Sequence, residues 1–132
     1  MMYLDANFFI FALLDQTKKG DNARTILKDI LNGNKITITS CLAIDEVMWI
    51  IIKTGKKGLL RNTVEDIYNF QNLEVREVPS LTPIYALEFI EKYNLKPRDA
   101  FHAAIMKQFH VDSIVSDDSD FDRIKDIRRV KL

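Results

Sequence analysis

The sequence predicts an α/β fold: a three-layer α/β/α sandwich around a central parallel sheet of four to five strands, built from residues 1–132 as one domain. Three observations predict it. Short apolar or β-branched runs alternate with longer segments of helical periodicity along the whole chain. The length of 132 residues suits one domain, and 47% hydrophobic residues supply a core without disulfides or a structural metal. No repeat, low-complexity tract or long linker divides the chain, and its only prolines are Pro79, Pro83 and Pro97.

Met2–Asp5 is apolar up to its first acid and reads as a strand. Phe8–Leu14 is apolar and reads as a helix. Thr17–Gly20 is a polar break. Asp21 or Asn22 then caps a helix whose apolar positions are Ala23, Ile26, Leu27, Ile30 and Leu31, and Asn32-Gly33-Asn34 ends it. Lys35–Thr39 is β-branched and reads as the second strand. Ser40 caps the next helix, roughly Leu42–Thr54. It is apolar on nearly all sides, the pattern of a buried helix.

Gly55 to Gly58 breaks the chain, and Leu59–Phe70 reads as a helix with Leu60, Val64, Ile67 and Tyr68 near one face. Leu73–Val78 is the third strand. A helix follows from about Pro83 to Tyr93, with its proline in the first turn. Asn94–Lys96 is a turn, and Pro97 opens a helix running to about Phe109. Ser113–Val115 is a short strand, Asp117–Asp122 an acidic loop entering a helical turn, and Ile127–Val130 a candidate last strand.

Lys+Arg and Asp+Glu both number 19, so the formal net charge is zero. That counts against a module that binds nucleic acid by bulk charge, and leaves local basic patches or cation-neutralised carboxylates. Cys41 is the only cysteine, which excludes an internal disulfide and a thiolate zinc cluster and suits a reducing cytoplasm. It reads as a small buried side chain. No segment has the uninterrupted apolar length of a membrane span, and Met1 to Leu14 lacks the layout of a signal peptide.

In a parallel sheet, ligands bind beyond the carboxyl ends of the strands. Asp5 lies at one such end, and Asp117, Asp118 and Asp120 lie just past another. Glu46 is embedded in the most apolar helix, with Asp45 beside it, and the sequence does not choose which of the two points inward. Asp99 opens the mostly apolar helix Ala100–Ile105. Each acid alone has a plain explanation. Asp5 or Asp99 can serve a helix start, and the acidic loop can be solvated. Together they repel one another and would be driven to protonate unless a cation relieves them. An all-oxygen donor set suits Mg²⁺ or Mn²⁺ rather than zinc. Such a site commonly does phosphoryl chemistry, in which the metal activates water, polarises the phosphate and stabilises the departing oxygen.

These residues resemble a known family. Tyr3-Leu4-Asp5-Ala6-Asn7 resembles the opening motif of PIN domains, an Asp followed two residues later by Ser, Thr or Asn. Asp45-Glu46-Val47 resembles the second motif, with Glu46 as its acid. Asp99-Ala100-Phe101-His102-Ala103-Ala104 resembles the third, and Ile114–Phe121 the fourth, in which Ser116 stands for the more usual Thr. The likeness covers the whole chain in the right order, and short chains of this kind are often VapC-like toxins of toxin–antitoxin pairs.

The resemblance implies a metal-dependent endoribonuclease. It implies Asp5, Glu46, Asp99 and Asp118 as acids around Mg²⁺ or Mn²⁺, with Asn7 and Ser116 as supporting polar groups. Asp117 and Asp120 rival Asp118, whose register is set by Ser116 and Phe121. His102, three residues after Asp99, either reaches the scissile phosphate or a metal-held water, or is a satisfied packing residue, the commoner case.

Lys53, Lys56, Lys57 and Arg61 form the best basic patch for RNA, with Lys18 and Lys19 as a second candidate and an ordinary solvated turn as the plain reading of either. Met48, Trp49, Ile50, Ile51 and Ile52 exceed what one helix needs for its core, which suits a homodimer or an antitoxin segment as well as full burial. A non-catalytic RNA-binding or scaffold protein and a structure-selective DNA nuclease are the alternatives on the same fold. A receiver-like phosphotransfer domain is a further reading, but it would want a Lys at a later strand end, and this chain has no convincing one.

Overall fold

A computed structural model describes Met1–Leu132. Five short strands form the sheet: β1 (Met2–Leu4), β2 (Thr37–Ser40), β3 (Leu73–Arg76), β4 (Ser113–Val115) and β5 (Arg128–Val130), with charged residues confined to the edge strands β3 and β5. The helices between them are α1 (Ala6–Leu14), α2 (Lys18–Leu31), α3 (Cys41–Lys53), α4 (Leu60–Asn69), α5 (Thr82–Tyr93) and α6 (Pro97–Gln108), with 3-10 turns at Lys57–Leu59 and Ser119–Arg123. Every strand pairing is parallel, in the order β3-β2-β1-β4-β5. The predicted α/β/α sandwich is the observed one, with five strands. No helix is long and apolar enough to cross a membrane.

Strand alternation divides the core into two layers. Met2, Leu4 and Val115 face a cluster with Phe8, Phe9, Ile30, Val47, Ile51 and Ile67, drawn from α1 to α4. Tyr3, Ile38 and Ile114 face the opposite cluster with Ala86, Ala103, Ile105 and Met106 from α5 and α6, and with Phe121 and Ile124. The three inner strands are therefore buried on both faces, which is why they carry no charged residue and are mostly apolar or β-branched.

The chain steps outward from β1 to β2 and β3, then returns across the sheet to β4 and β5. The strand order thus reverses at the β1–β4 boundary, where a crevice opens beyond the carboxyl ends.

Three local expectations are corrected. Helix α2 starts at Lys18, one turn before Asp21, so the expected polar break is its first turn. Asp15 makes this possible, because its Oδ2 accepts hydrogen bonds from the backbone N–H groups of Thr17 (2.9 Å) and Gly20 (3.2 Å). These are donors that a helix start leaves unpaired. The turn closes so tightly that a Cβ on Gly20 would lie 2.4 Å from the Asp15 carbonyl oxygen. Gly20→Ala is therefore expected to destabilise the fold by about 1–3 kcal/mol through forced backbone movement. Urea unfolding would check this, and an unchanged midpoint would show that the turn yields freely.

Helix α3 is not buried all round. Ala43, Ile44, Val47 and Ile51 form its buried stripe. Met48, Trp49 and Ile52 are 37%, 57% and 44% exposed. Cys41 is exposed too, contrary to its reading as a buried residue. Positions 41, 45, 48 and 52 follow helical spacing, so Cys41 shares the outer face with Asp45, Met48 and Ile52.

Candidate active site

Asp5 follows the last residue of β1 and caps α1, its Oδ1 accepting from the Ala6 N–H at 2.7 Å. The strand end and the cap together hold the carboxylate 6% exposed at the crevice. Ser116, just past β4, donates from Oγ to Asp5 Oδ2 at 2.7 Å and accepts the Asp118 N–H at 3.0 Å. Asn7 completes the seam, its Oδ1 accepting the Asp117 N–H at 3.2 Å and its amide reaching Ser116 Oγ at 3.4 Å. The two chain ends of the crevice are thereby tied through hydroxyl, amide and backbone.

Glu46 arrives from the second turn of α3, and the structure settles which of the adjacent acids turns inward: Asp45 is exposed and Glu46 half-buried. The Glu46 carboxylate hydrogen-bonds His102 Nε2, which also lies 3.8 Å from Asp5 Oδ1. His102 is 1% exposed, and its Nδ1 sits 2.7 Å from the Tyr3 hydroxyl, which is 2.7 Å from Ser40 Oγ. Sequence reasoning named His102 as an auxiliary but missed Tyr3 and Ser40. The signal for Tyr3 was strand alternation, which puts residues 3 and 5 on one side of β1.

Asp5, Glu46 and His102 have ligand-capable atoms within 4.8 Å of one another, and so do Asp99, Asp118 and Asp120. Asp99 stands in the first turn of α6. Of the three rivals in the fourth motif, Asp117 turns to Lys19 at 2.6 Å and Asp120 to Arg123 at 2.8 Å. The Asp118 side chain accepts from the Asp120 N–H at 2.9 Å and caps the 3-10 turn.

The electrostatics are those of an overcrowded anionic site. Burial pushes the Asp99 carboxyl up to about 6, with the charges of Asp118, Asp120 and Asp5 adding and His102 opposing. Burial also raises Asp5, against His102 and Ser116, which favour its anion. Burial disfavours the His102 cation, yet the Glu46 hydrogen bond and the charges of Asp5, Glu46 and Asp99 outweigh it and raise its pKa. The Asp5 charge adds to the rise at Asp99, and Asp5, Glu46 and Asp99 all act on His102, so the two clusters are electrostatically linked. The four acids offer oxygen donors and make no Lys or Arg ion pair among themselves, a set that fits a hard divalent cation.

The basic residues are placed unevenly. Lys19 is at the acidic crevice, through Asp117. Lys53 lies seven residues beyond Glu46 on α3, about 10 Å along the helix axis. Lys56, Lys57 and Arg61 follow it, exposed, with Arg61 paired to Glu65 at 3.4 Å. A cavity of about 330 Å³ lined by Phe89, Tyr93, Met106 and Ile124 shares no residue with the acidic site.

A sequence model of the PIN domain matches residues 2–127. No curated protein sequence matches the chain. Among solved structures, the chain is similar to VapC20 of Mycobacterium tuberculosis, described as a sarcin–ricin loop cleaving toxin. The TM-score is 0.77 at 14% identity, covering 96% of this chain and 97% of that one. It is similar to VapBC2 from Rickettsia felis, bound to a promoter DNA fragment (TM-score 0.76, 18% identity, 99% and 98% covered). It is also similar to DNA-bound VapBC from Salmonella typhimurium (TM-score 0.71, 20% identity, 98% and 96% covered). At these identities the structural likeness speaks for the fold alone.

Proposed function

The chain belongs to the PIN domain family, and from that premise we propose that it is a Mg²⁺- or Mn²⁺-dependent endoribonuclease, the toxin of a toxin–antitoxin pair. The carrying observation is that acids from the end of β1, α3, α6 and the turn after β4 gather in two ligand-capable groups at the strand-end crevice, where burial and neighbouring carboxylates disfavour the ionised forms of Asp5 and Asp99. Asp5, Glu46, Asp99 and Asp118 would hold the cation, with Asn7, Ser116, Asp120 and His102 supporting them. When bound, the cation activates a water and neutralises charge gathering on the phosphate. Water adds to phosphorus in line with the departing 3′ oxygen, giving a 5′-phosphate and a 3′-hydroxyl. Ser116 keeps Asp5 aimed at the crevice, and Asn7 fixes the backbone that carries Asp118.

Cleavage of matched single-stranded RNA, single-stranded DNA and flap DNA tests the reading. RNA cleavage that needs Mg²⁺ or Mn²⁺ and stops in excess EDTA is expected. Cleavage of DNA alone would make the protein a structure-selective DNA nuclease, and RNA binding without cleavage a scaffold.

RNA phosphates would meet Lys19 at the crevice and Lys53, Lys56, Lys57 and Arg61 farther along α3 and its turn. The proposed setting is the cytoplasm, where RNA substrate lies. An antitoxin partner is supported by structural neighbours that are VapBC and toxin–antitoxin complexes. The exposed Met48, Trp49 and Ile52 support a homodimer. Light scattering after gel filtration is expected to give twice the mass of 15.3 kDa, and Trp49→Glu to shift the protein to monomer. A wild-type monomer at high concentration removes the homodimer.

A further inference from the structure

Hydrogen positions between His102 and Glu46 follow from the groups themselves. An ionised carboxylate only accepts, so the hydrogen in the Nε2···Glu46 contact belongs to the imidazole. His102 Nδ1 then needs a partner that suits it with or without a proton. A hydroxyl is such a partner, since it both donates and accepts. Tyr3 supplies one at 2.7 Å, and Ser40, 2.7 Å beyond it, is a second that also accepts the Ala43 N–H at 3.2 Å. With a neutral ring the direction runs from Ser40 to Tyr3 to Nδ1; with a charged ring it runs the other way. In both, Nε2–H stays on Glu46.

We infer that Tyr3 and Ser40 are positioning residues for Glu46: their hydroxyl pair orients the His102 ring so that Nε2–H holds one oxygen of the carboxylate that would take the cation. Tyr3 and Ser40 are fully buried and His102 is 1% exposed, so the chain of contacts is internal. Tyr3 and Ser40 are neighbours because β1 and β2 pair in parallel, with Tyr3 opposite Ile38, two residues before Ser40. His102 reaches them from α6, and its ring lies edge-on to Phe121 at 6.5 Å between centroids. Aromatic packing fixes the ring's place, and the hydroxyls fix its rotation. A group that fixes a ligand's orientation from outside commonly changes metal affinity 10- to 100-fold when removed.

The inference rests on the nuclease reading, and its test separates the two. Calorimetry with Mn²⁺ is expected to show Tyr3→Phe binding about tenfold more weakly than wild type. Ring ¹⁵N spectra are expected to show His102 Nε2 protonated in wild type with and without Mg²⁺, and a changed pattern in Tyr3→Phe. The chain has two histidines, so His110→Gln assigns the signals. Ser40→Ala, which keeps the phenol, is expected to weaken Mn²⁺ binding less and serves if Tyr3→Phe does not fold.

Tyr3→Phe with wild-type Mn²⁺ affinity and an unaltered His102 spectrum overturns the inference, even if its melting temperature falls. So does a bare Nε2 in the Mg²⁺-loaded wild type, which would make His102 a ligand. Wild type that binds neither Mg²⁺ nor Mn²⁺ overturns the nuclease reading instead.

Discussion

Asp99→Asn is expected to lower RNA cleavage by at least about a thousandfold while stabilising the metal-free protein. The two effects have one source. Asp99 is half-buried beside Asp118, Asp120 and Asp5, and its carboxyl is pushed up to about 6, so its ionised form opposes folding at neutral pH. A neutral amide of the same shape removes the cost of burying a charge and the repulsion from Asp118, Asp120 and Asp5, and with them a donor for the cation. Asp5→Asn is expected to lose cleavage without the gain. Both Asp5 oxygens accept, one from Ala6 N–H and one from Ser116, and an amide would turn a donor toward one of them. Melting curves with excess EDTA, beside cleavage rates in Mg²⁺, would check both. Full activity in either purified variant would sink the assignment of that acid.

The metal-free protein is expected to be less stable at pH 7.5 than at pH 5, and Mg²⁺ or Mn²⁺ to reverse the difference. A carboxyl whose folded pKa is raised holds its proton more tightly in the folded chain, so stability falls as pH rises from about 3.8 through the folded value. Asp99, at about 6, and Asp5 both act in this direction. His102 is raised too, and its contribution, present below 6.5, is lost as pH rises through its folded pKa. Asp15 and Asp122 are lowered by Thr17 and Arg129, and their contributions disappear only as pH falls below 3.8. The window from pH 5 to 7.5 therefore isolates the crevice. At neutral pH a cation at one hundred times its dissociation constant adds about 2.7 kcal/mol, on the order of 10 °C in melting temperature for a chain this long. A flat profile in EDTA, or a cation effect as large at pH 5 as at pH 7.5, would contradict the coupling.

Much of the fold was legible because its inner strands are buried on both faces and its helices carry clear periodicity. The start of α2 was not, since Asp15 caps from outside the helix and its carboxylate spans from Thr17 to Gly20. Local capping rules look for the acid nearer the helix. The outer face of α3 misled for another reason. Met48, Trp49 and Ile52 are apolar yet exposed, and composition alone cannot distinguish a buried helix from one with an uncovered face.

In the candidate site, Asp5 and the group Asp117, Asp118 and Asp120 were readable as strand-end acids and Asp99 as a helix-start acid, while the preference for Asp118 came from the motif resemblance. The choice of Glu46 over Asp45 needed the helix's rotation, which its apolar surroundings hid. Tyr3 and Ser40 were invisible as a pair because their meeting depends on strand register and on His102, 99 positions beyond Tyr3.

The pairing of β4 with β1 sets when the crevice acids can come together. Tyr3 lies opposite Ile114, so the first and fourth strands join only after more than a hundred intervening residues exist. A growing polypeptide on the ribosome carries Asp5 and Glu46 early but has no Ser116 or Asp118 to close the crevice. On the proposed reading, cleavage would stay dormant until the β4 segment and the turn after it have been made, a built-in delay that follows from strand order alone.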